Sequence, residues 1–321
     1  MNILITGVAG FIGYHLAVKI MNKSKSEIFG IDNVNNYYDT KLKLDRLSLL
    51  KKNKNFNFKK IDINNFEKLN NYIKANNIKI IINLAAQAGV RHSIKNPKDY
   101  FQSNILGFFN ILEVSRLNNI KHLIFASTSS VYGDSKKFPL KENYPTDSPL
   151  TFYAASKKTN EVMAYSYSNI YNLPCTGLRF FTVYGEMGRP DMALFKFVKS
   201  ILKNQSINLH NYGNHQRDFT YVDDVTEAIY LMLKKPSKKT IPFDIFNVGS
   251  NNPSSLKKFV SILESELGTK SKIKLLPLQI GDVVKTHASI AKIYSKINFK
   301  PNKSINFGIN NFVKWYLNYY K

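Results

Sequence analysis

The chain has 321 residues, 44% of them hydrophobic, enough for one large or two medium domains with sizeable cores. Its single cysteine, Cys175, excludes an intrachain disulfide and a cysteine-rich metal site and fits a reducing, cytoplasmic setting. The formal charge of +24 invites a nucleic-acid or anionic-membrane reading, but the lysines are scattered among asparagines and no apolar run reaches transmembrane length. The excess therefore reads as compositional drift on the surface, and neither nucleic acid nor membrane is an expected partner, although weak RNA binding stays open as an alternative.

Residues 2–6 read as a buried strand, placed too early to leave room for a leader peptide. The turn Thr6-Gly7-Val8-Ala9-Gly10-Phe11-Ile12-Gly13 follows, then an amphipathic helix to about residue 22 and a second strand, 27–31, ending at Asp32. A strand, a glycine turn, a helix and a strand with a terminal acid about 20 residues on form a dinucleotide-binding pattern. The glycines let the backbone approach a pyrophosphate, and the free N–H groups of the helix N-terminus face it. The spacing G-x-x-G-x-x-G is one residue longer than the common fingerprint. Asp32 would accept hydrogen bonds from the adenosine ribose and repel a 2′-phosphate, which favours NAD over NADP.

The alternation continues: a helix over 40–50, a strand over 56–61 ending at Asp62-Ile63, a helix over 64–76 and a strand over 78–84. Ala85-Ala86-Gln87-Ala88-Gly89-Val90-Arg91 comes next, then one long helix over 98–118 and a strand over 122–127. Such alternation predicts an α/β fold, a doubly wound parallel sheet of Rossmann-like type. After about residue 185 the rhythm changes. A loop at Gly188-Arg189-Pro190-Asp191 precedes a helix over 192–204, a short strand over 207–210, a helix over 222–234, a strand over 243–248 and a helix over 254–267. The expected division is a dinucleotide-binding domain of residues 1–185 plus about 215–249, and a smaller mixed α/β substrate domain of about 186–214 plus 250–321.

The strand ending at Ser127 delivers Thr128-Ser129-Ser130 to the carboxyl edge of the sheet. About 25 residues later stand Tyr153 and Lys157, four apart and so on one helix face. A neighbouring ammonium is expected to pull the phenol below its usual value of about 10, so that Tyr153 serves as a general acid and base near neutral pH. A nucleotide turn, hydroxyls at a strand end, then Tyr-x-x-x-Lys, in that order, point to hydride transfer between a secondary alcohol and NAD. The chain has only six arginines, Arg46, Arg91, Arg116, Arg179, Arg189 and Arg217. Where lysine is used so freely, an arginine marks a place needing a planar fork.

Gly7-x-x-Gly10-x-x-Gly13 with Tyr153-x-x-x-Lys157 resembles the extended short-chain dehydrogenase/reductases, the sugar-nucleotide epimerases and dehydratases. Within them, Leu84-Ala-Ala-Gln-Ala-Gly-Val-Arg91, Arg179-Phe-Phe-Thr-Val-Tyr-Gly185, Gly188-Arg-Pro-Asp-Met-Ala-Leu-Phe195 and Arg217-Asp-Phe-Thr-Tyr-Val-Asp-Asp224 resemble the UDP-glucuronate 4-epimerases over essentially the whole chain. Two places depart from the pattern: His92 stands where Tyr is usual, and Glu186-Met187 where Pro-Trp is usual.

The resemblance implies an isomerase with tightly bound NAD that converts UDP-glucuronate to UDP-galacturonate, works as a homodimer and supplies polysaccharide synthesis. It implies catalytic roles for Thr128, Tyr153 and Lys157. Tyr153 takes the O4 proton, C4 gives its hydride to NAD, and the 4-keto sugar turns before the hydride returns. Gly7, Gly10, Phe11, Ile12, Gly13, Asp32, Asn33, Lys43, Asp62, Ile63, Leu84, Ala85, Ala86 and Gln87 would hold the cofactor with Tyr153 and Lys157. Arg91, Thr128, Ser129, Ser130, Thr182, Arg189, Arg217 and Asp282 would hold the UDP-hexuronic acid. Thr182 and Arg189 are implied at the C5 carboxylate, Arg217 and Asp282 at the diphosphate side. No metal is expected. Ser129-Ser130, in place of an acid pair, speaks against a 4,6-dehydratase. A UDP-glucose/UDP-galactose 4-epimerase and a non-catalytic NAD-binding module remain as alternatives.

Overall fold

The computed structural model describes residues 1–320. Seven strands form the central sheet: β1 (Asn2–Thr6), β2 (Glu27–Asp32), β3 (Phe56–Lys60), β4 (Ile80–Asn83), β5 (His122–Thr128), β6 (Cys175–Phe180) and β7 (Phe243–Val248). Their order across the sheet is β7-β6-β5-β4-β1-β2-β3, and every neighbouring pair is parallel. Strands covered on both faces read as unbroken apolar runs rather than alternations, as Ile80–Ile82 do in β4. Side chains still alternate in direction. Ile3 and Ile5 enter one core with Leu16, Ile20, Leu47 and Ile229. Leu4 enters the opposite core with Ile31, Leu69, Ile73, Phe108 and Ile111. Each such side chain contributes roughly 1.5–3 kcal/mol on burial.

The strand order reverses between β1 and β4, and ligands of open α/β sheets bind outside the strand ends at such a point. Side-chain bonds pin the two strand ends together: Thr6 Oγ1 donates to Asn83 Oδ1 at 2.6 Å and accepts from Ala85 N at 3.1 Å.

The expected long helix over 98–118 is observed in three parts, an α-turn at Pro97–Tyr100, a π-helical stretch at Phe101–Leu106 and an α-helix at Gly107–Leu117. Helical periodicity does not register the extra residue per turn of a π segment, which commonly lies at a functional site. Here it turns Asn104 inward. Helix Val90–Lys95 carries Arg91, where only a small-residue stretch was expected.

Outside the central sheet, Thr182–Tyr184 pairs with Phe219–Tyr221, Ile207–Leu209 with Ile273–Leu275, and Gln216–Arg217 with Ser254–Ser255. The C-terminal helix Ile305–Tyr320 lays Phe312 and Tyr316 on Phe195, with ring centroids 6.0 and 5.1 Å apart. A single apolar core extends from Ile3 through Phe195 to Tyr316, shared by the sheet and these later elements.

Candidate active site

A cavity of about 390 Å³ opens at the strand-order reversal, a size usual for small-molecule sites. Gly7 lies at its floor with φ +69°, and a Cβ there would meet Ala85 N at 2.8 Å, so the turn and the Leu84–Ala85 wall meet only without a side chain. Gly10 precedes helix Phe11–Lys23 and supplies no side-chain cap, leaving first-turn N–H groups for an anion. At the end of β2, Asp32 accepts from Ala9 N at 3.1 Å and Val34 N at 2.7 Å. Asn33 Nδ2 donates to Asp62 Oδ2 at 2.8 Å, and Lys43 Nζ to Asn35 O at 2.7 Å. Every residue expected to contact the dinucleotide, from Gly7 to Gln87, lines this cavity. Gln87 Nε2 is buried and unpartnered. The uncapped helix start, the acid at the end of β2 and this orphaned donor fit a dinucleotide's diphosphate, ribose and amide groups.

Thr151 caps helix Phe152–Tyr171 by accepting from Ala154 N at 3.3 Å, which sets Tyr153 and Lys157 on the face turned to the cavity. Thr128 and Ser130 face it from the end of β5, joined by a 3.2 Å bond between their hydroxyls. The expected effect of Lys157 on Tyr153 is not what the protein alone displays. Burial pushes the phenol above its ordinary 10.0, opposed by a hydrogen bond from Thr128 and the charge of Arg189, with no contribution from Lys157. Burial also pulls Lys157 down to about 8. Where both groups are buried, desolvation outweighs the attraction between them. Lys157 Nζ donates to Ala126 O at 3.0 Å, and its other protons have no acceptor among the described residues.

Behind this pair lies a buried network. Ser127 Oγ donates to Glu161 Oε1 at 2.6 Å, and Arg179 Nε and Nη2 donate to the two Glu161 oxygens at 2.8 Å each. Asn104 joins the cavity wall to the same helix: its Oδ1 accepts from Gln87 N at 2.8 Å, and its Nδ2 donates to Ser156 Oγ at 2.9 Å.

Thr182, Ser129 and Arg189 complete the lining. The Arg189 fork is already engaged. Nε and Nη2 donate to the Asp191 oxygens at 3.0 and 2.5 Å, and Nη2 also donates to Ala88 O at 3.3 Å. A carboxylate in the cavity could take this fork only in place of Asp191, so Nη1 is the part of Arg189 left for it. Arg91, Arg217 and Asp282 do not line the cavity; Arg91 and Asp282 pair with each other, and Arg217 lies within range of both charges. Arg91 Nη2 donates to Asp282 Oδ2 at 3.0 Å, and Arg217 Nη1 to Val284 O at 2.8 Å. Burial pulls Arg217 down to about 10 against the attraction of Asp282.

Residues 3–249 match the family described as NAD dependent epimerase/dehydratase. The chain belongs to that family. Its relatives include Protein CapI of Staphylococcus aureus, 48% identical with all of both chains covered, and UDP-glucuronate 4-epimerase 4 of Arabidopsis thaliana, 41% identical over 100% of this chain and 76% of the relative. Among solved structures, UDP-glucuronic acid 4-epimerase of Bacillus cereus, in complex with UDP-glucuronic acid and NAD, matches with a TM-score of 0.94 and 31% identity over all of both chains.

Reading this family member from sequence alone overlooks Asn104, Glu161, Asp191 and Tyr37. Glu161 had a signal: it is eight residues beyond Tyr153, on the same helical face. Tyr37 had none, since its partner stands 154 positions away, and Asp191 pairs with Arg189 through a loop turn that carries no periodicity. Tyr37 donates to Asp191 Oδ2 at 3.1 Å. The two departures from the epimerase pattern also find partners. Tyr221 donates to both Glu186 oxygens, at 2.8 and 2.7 Å, and the His92 ring stands 4.9 Å from that of Tyr37.

Proposed function

We propose that this protein is an NAD-dependent isomerase that inverts C4 of UDP-glucuronate to give UDP-galacturonate through a transient 4-keto sugar. The observation that carries the reading is one cavity holding the glycine turn, Thr128, Tyr153 and Lys157 together with Arg189 and Thr182. The 4-epimerase relatives support it. The bound dinucleotide would supply the hydride acceptor and donor at C4.

Tyr153 Oη takes the proton from O4 and later returns it. Thr128 Oγ1 orients that oxygen and, by donating to the phenolate, favours it. The free Lys157 protons suit ribose hydroxyls, and Asp32 suits the adenosine ribose. Arg189 Nη1 and Thr182 Oγ1 hold the C5 carboxylate. A 4-keto uronic acid is a β-keto acid and loses CO2 when its carboxylate bond aligns with the carbonyl π system. Fixing the carboxylate out of that alignment keeps the reaction an epimerisation.

The relevant domain for UDP-sugar is the segment pair 186–214 and 250–321. A cytoplasmic setting is supported by the lone, buried Cys175, and no helix among the described residues is long and apolar enough to cross a membrane. The test is to incubate purified protein separately with UDP-glucuronate and UDP-glucose and resolve the products. UDP-galacturonate is expected from the first and little change in the second; conversion of UDP-glucose alone overturns the reading in favour of a neutral-sugar epimerase.

A further inference from the structure

Arg46, which no motif accounts for, is fully buried. Its Nη1 donates to Ala9 O at 2.7 Å and to Tyr38 Oη at 2.8 Å, while Nη2 donates to Met187 O at 2.6 Å and Gly188 O at 3.2 Å. Ala9 belongs to the glycine turn, and Gly188 immediately precedes Arg189. No carboxylate pairs with Arg46 among the described residues, and its Nε is buried without a partner. A buried guanidinium is costly unless its protons are met, and here backbone carbonyls from two separate loops meet them. A lysine ammonium, a point charge on a flexible stem, cannot span both loops as a planar fork does. The loop after β2 that carries Tyr38 is tied to the Arg189 segment a second time, since Tyr37 donates to Asp191, the partner of Arg189.

We propose that Arg46 is a positioning residue that couples dinucleotide binding to uronate binding. Filling the glycine turn fixes Ala9; Arg46 transmits that order to the Gly188 carbonyl, and so to the presentation of Arg189. By reciprocity, a carboxylate on Arg189 steadies the glycine turn by the same factor. The inference rests on the proposed function and deepens it, adding a residue that touches neither ligand's reacting atoms.

The experiment titrates NAD into cofactor-stripped wild-type protein and Arg46→Lys, each with and without a saturating pool of UDP-glucuronate, followed by protein fluorescence. The net reaction consumes no NAD, so the titration stands at equilibrium. In the wild type the sugar is expected to tighten NAD binding at least about fivefold, within the usual range of coupling; in Arg46→Lys that ratio is expected to fall to about one. A purely structural arginine would, when replaced, weaken NAD equally with and without sugar, and an unchanged ratio overturns the proposal. If Arg46→Lys does not fold, Arg46→Met, which removes the buried charge together with all four of its bonds, takes its place, and a ratio equal to the wild type's then overturns the proposal. Turnover of UDP-glucuronate is measured on the same wild-type preparation: its absence refutes the proposed function and the coupling with it, while turnover with an unchanged ratio refutes the coupling alone.

Discussion

At the scale of single residues, the site is defined by what burial does to its titrating groups. Tyr153 is raised by desolvation, so the phenolate that proton transfer needs leans on the opposing pull of Thr128 and Arg189. Tyr153→Phe is therefore expected to bind NAD as the wild type does and to lose turnover by at least about 100-fold, the usual worth of a positioned acid–base group; near-normal turnover would remove Tyr153 from the mechanism. Lys157 carries the opposite cost. Its fall from 10.5 to about 8 is worth on the order of 3 kcal/mol against the folded state. That cost is complete below pH 8, where both states hold the proton, and is relieved as pH rises toward 10.5, where the unfolded chain binds more protons than the folded one. Lys157→Met should thus stabilise the cofactor-free protein at pH 7 while abolishing activity, and its advantage in urea melts should shrink between pH 8 and 10.5. A constant advantage across that range would show that the ammonium is not the cause. Arg189→Ala is expected to divert the 4-keto sugar toward decarboxylation, so that chromatography detects a UDP-pentose; clean epimerisation at the wild-type rate would refute its role.

At the scale of elements, helix Phe152–Tyr171 is held to the sheet by a buried ion pair. Arg179 on β6 and Glu161 are both almost wholly enclosed, and Ser127 on β5 shares the Glu161 carboxylate. Removing one partner of such a pair leaves an uncompensated charge and typically costs about 3–5 kcal/mol, whereas replacing both with apolar groups can be neutral. Glu161→Gln should lower the melting temperature sharply, and Glu161→Leu with Arg179→Met should recover much of the loss; equal damage from single and double variants would argue against this account. The sheet itself was readable because covered parallel strands leave apolar runs such as Ile80–Ile82, and the cavity lining was readable because glycine, acid and Tyr-x-x-x-Lys spacings are local. What was not readable depended on distant or irregular geometry. The π-helical stretch that aims Asn104 at Gln87 leaves the apolar periodicity of the helix nearly intact. Asp191 claims the Arg189 fork through a loop turn that carries no periodicity, and Arg91 meets Asp282 across 191 positions of sequence. Pairing among charged side chains is decided by which elements are brought together, and composition is silent on that.

At the scale of the whole molecule, two features oppose one another. The net charge of +24 sets copies of the chain to repel, while helices Gly107–Leu117 and Phe152–Tyr171, which pack side by side, leave Phe109, Val162 and Ile170 exposed at 42%, 58% and 64%. Apolar side chains on adjoining helices are what an interface between copies requires, and a homodimer is the expectation that such a face tests. If that face forms the interface, its association is hydrophobic and is resisted by long-range repulsion. Salt screens the repulsion over a Debye length of about 8 Å at physiological ionic strength and about 3 Å at 1 M, while leaving apolar burial in place. A dimer formed through this face should therefore tighten as salt is raised, measurable by light scattering across a dilution series. Phe109→Glu combined with Val162→Glu should yield a monomer at every salt concentration. Weakening of the wild-type dimer by salt would mean that ion pairs hold it, and persistence of the dimer in the double variant would place the interface elsewhere.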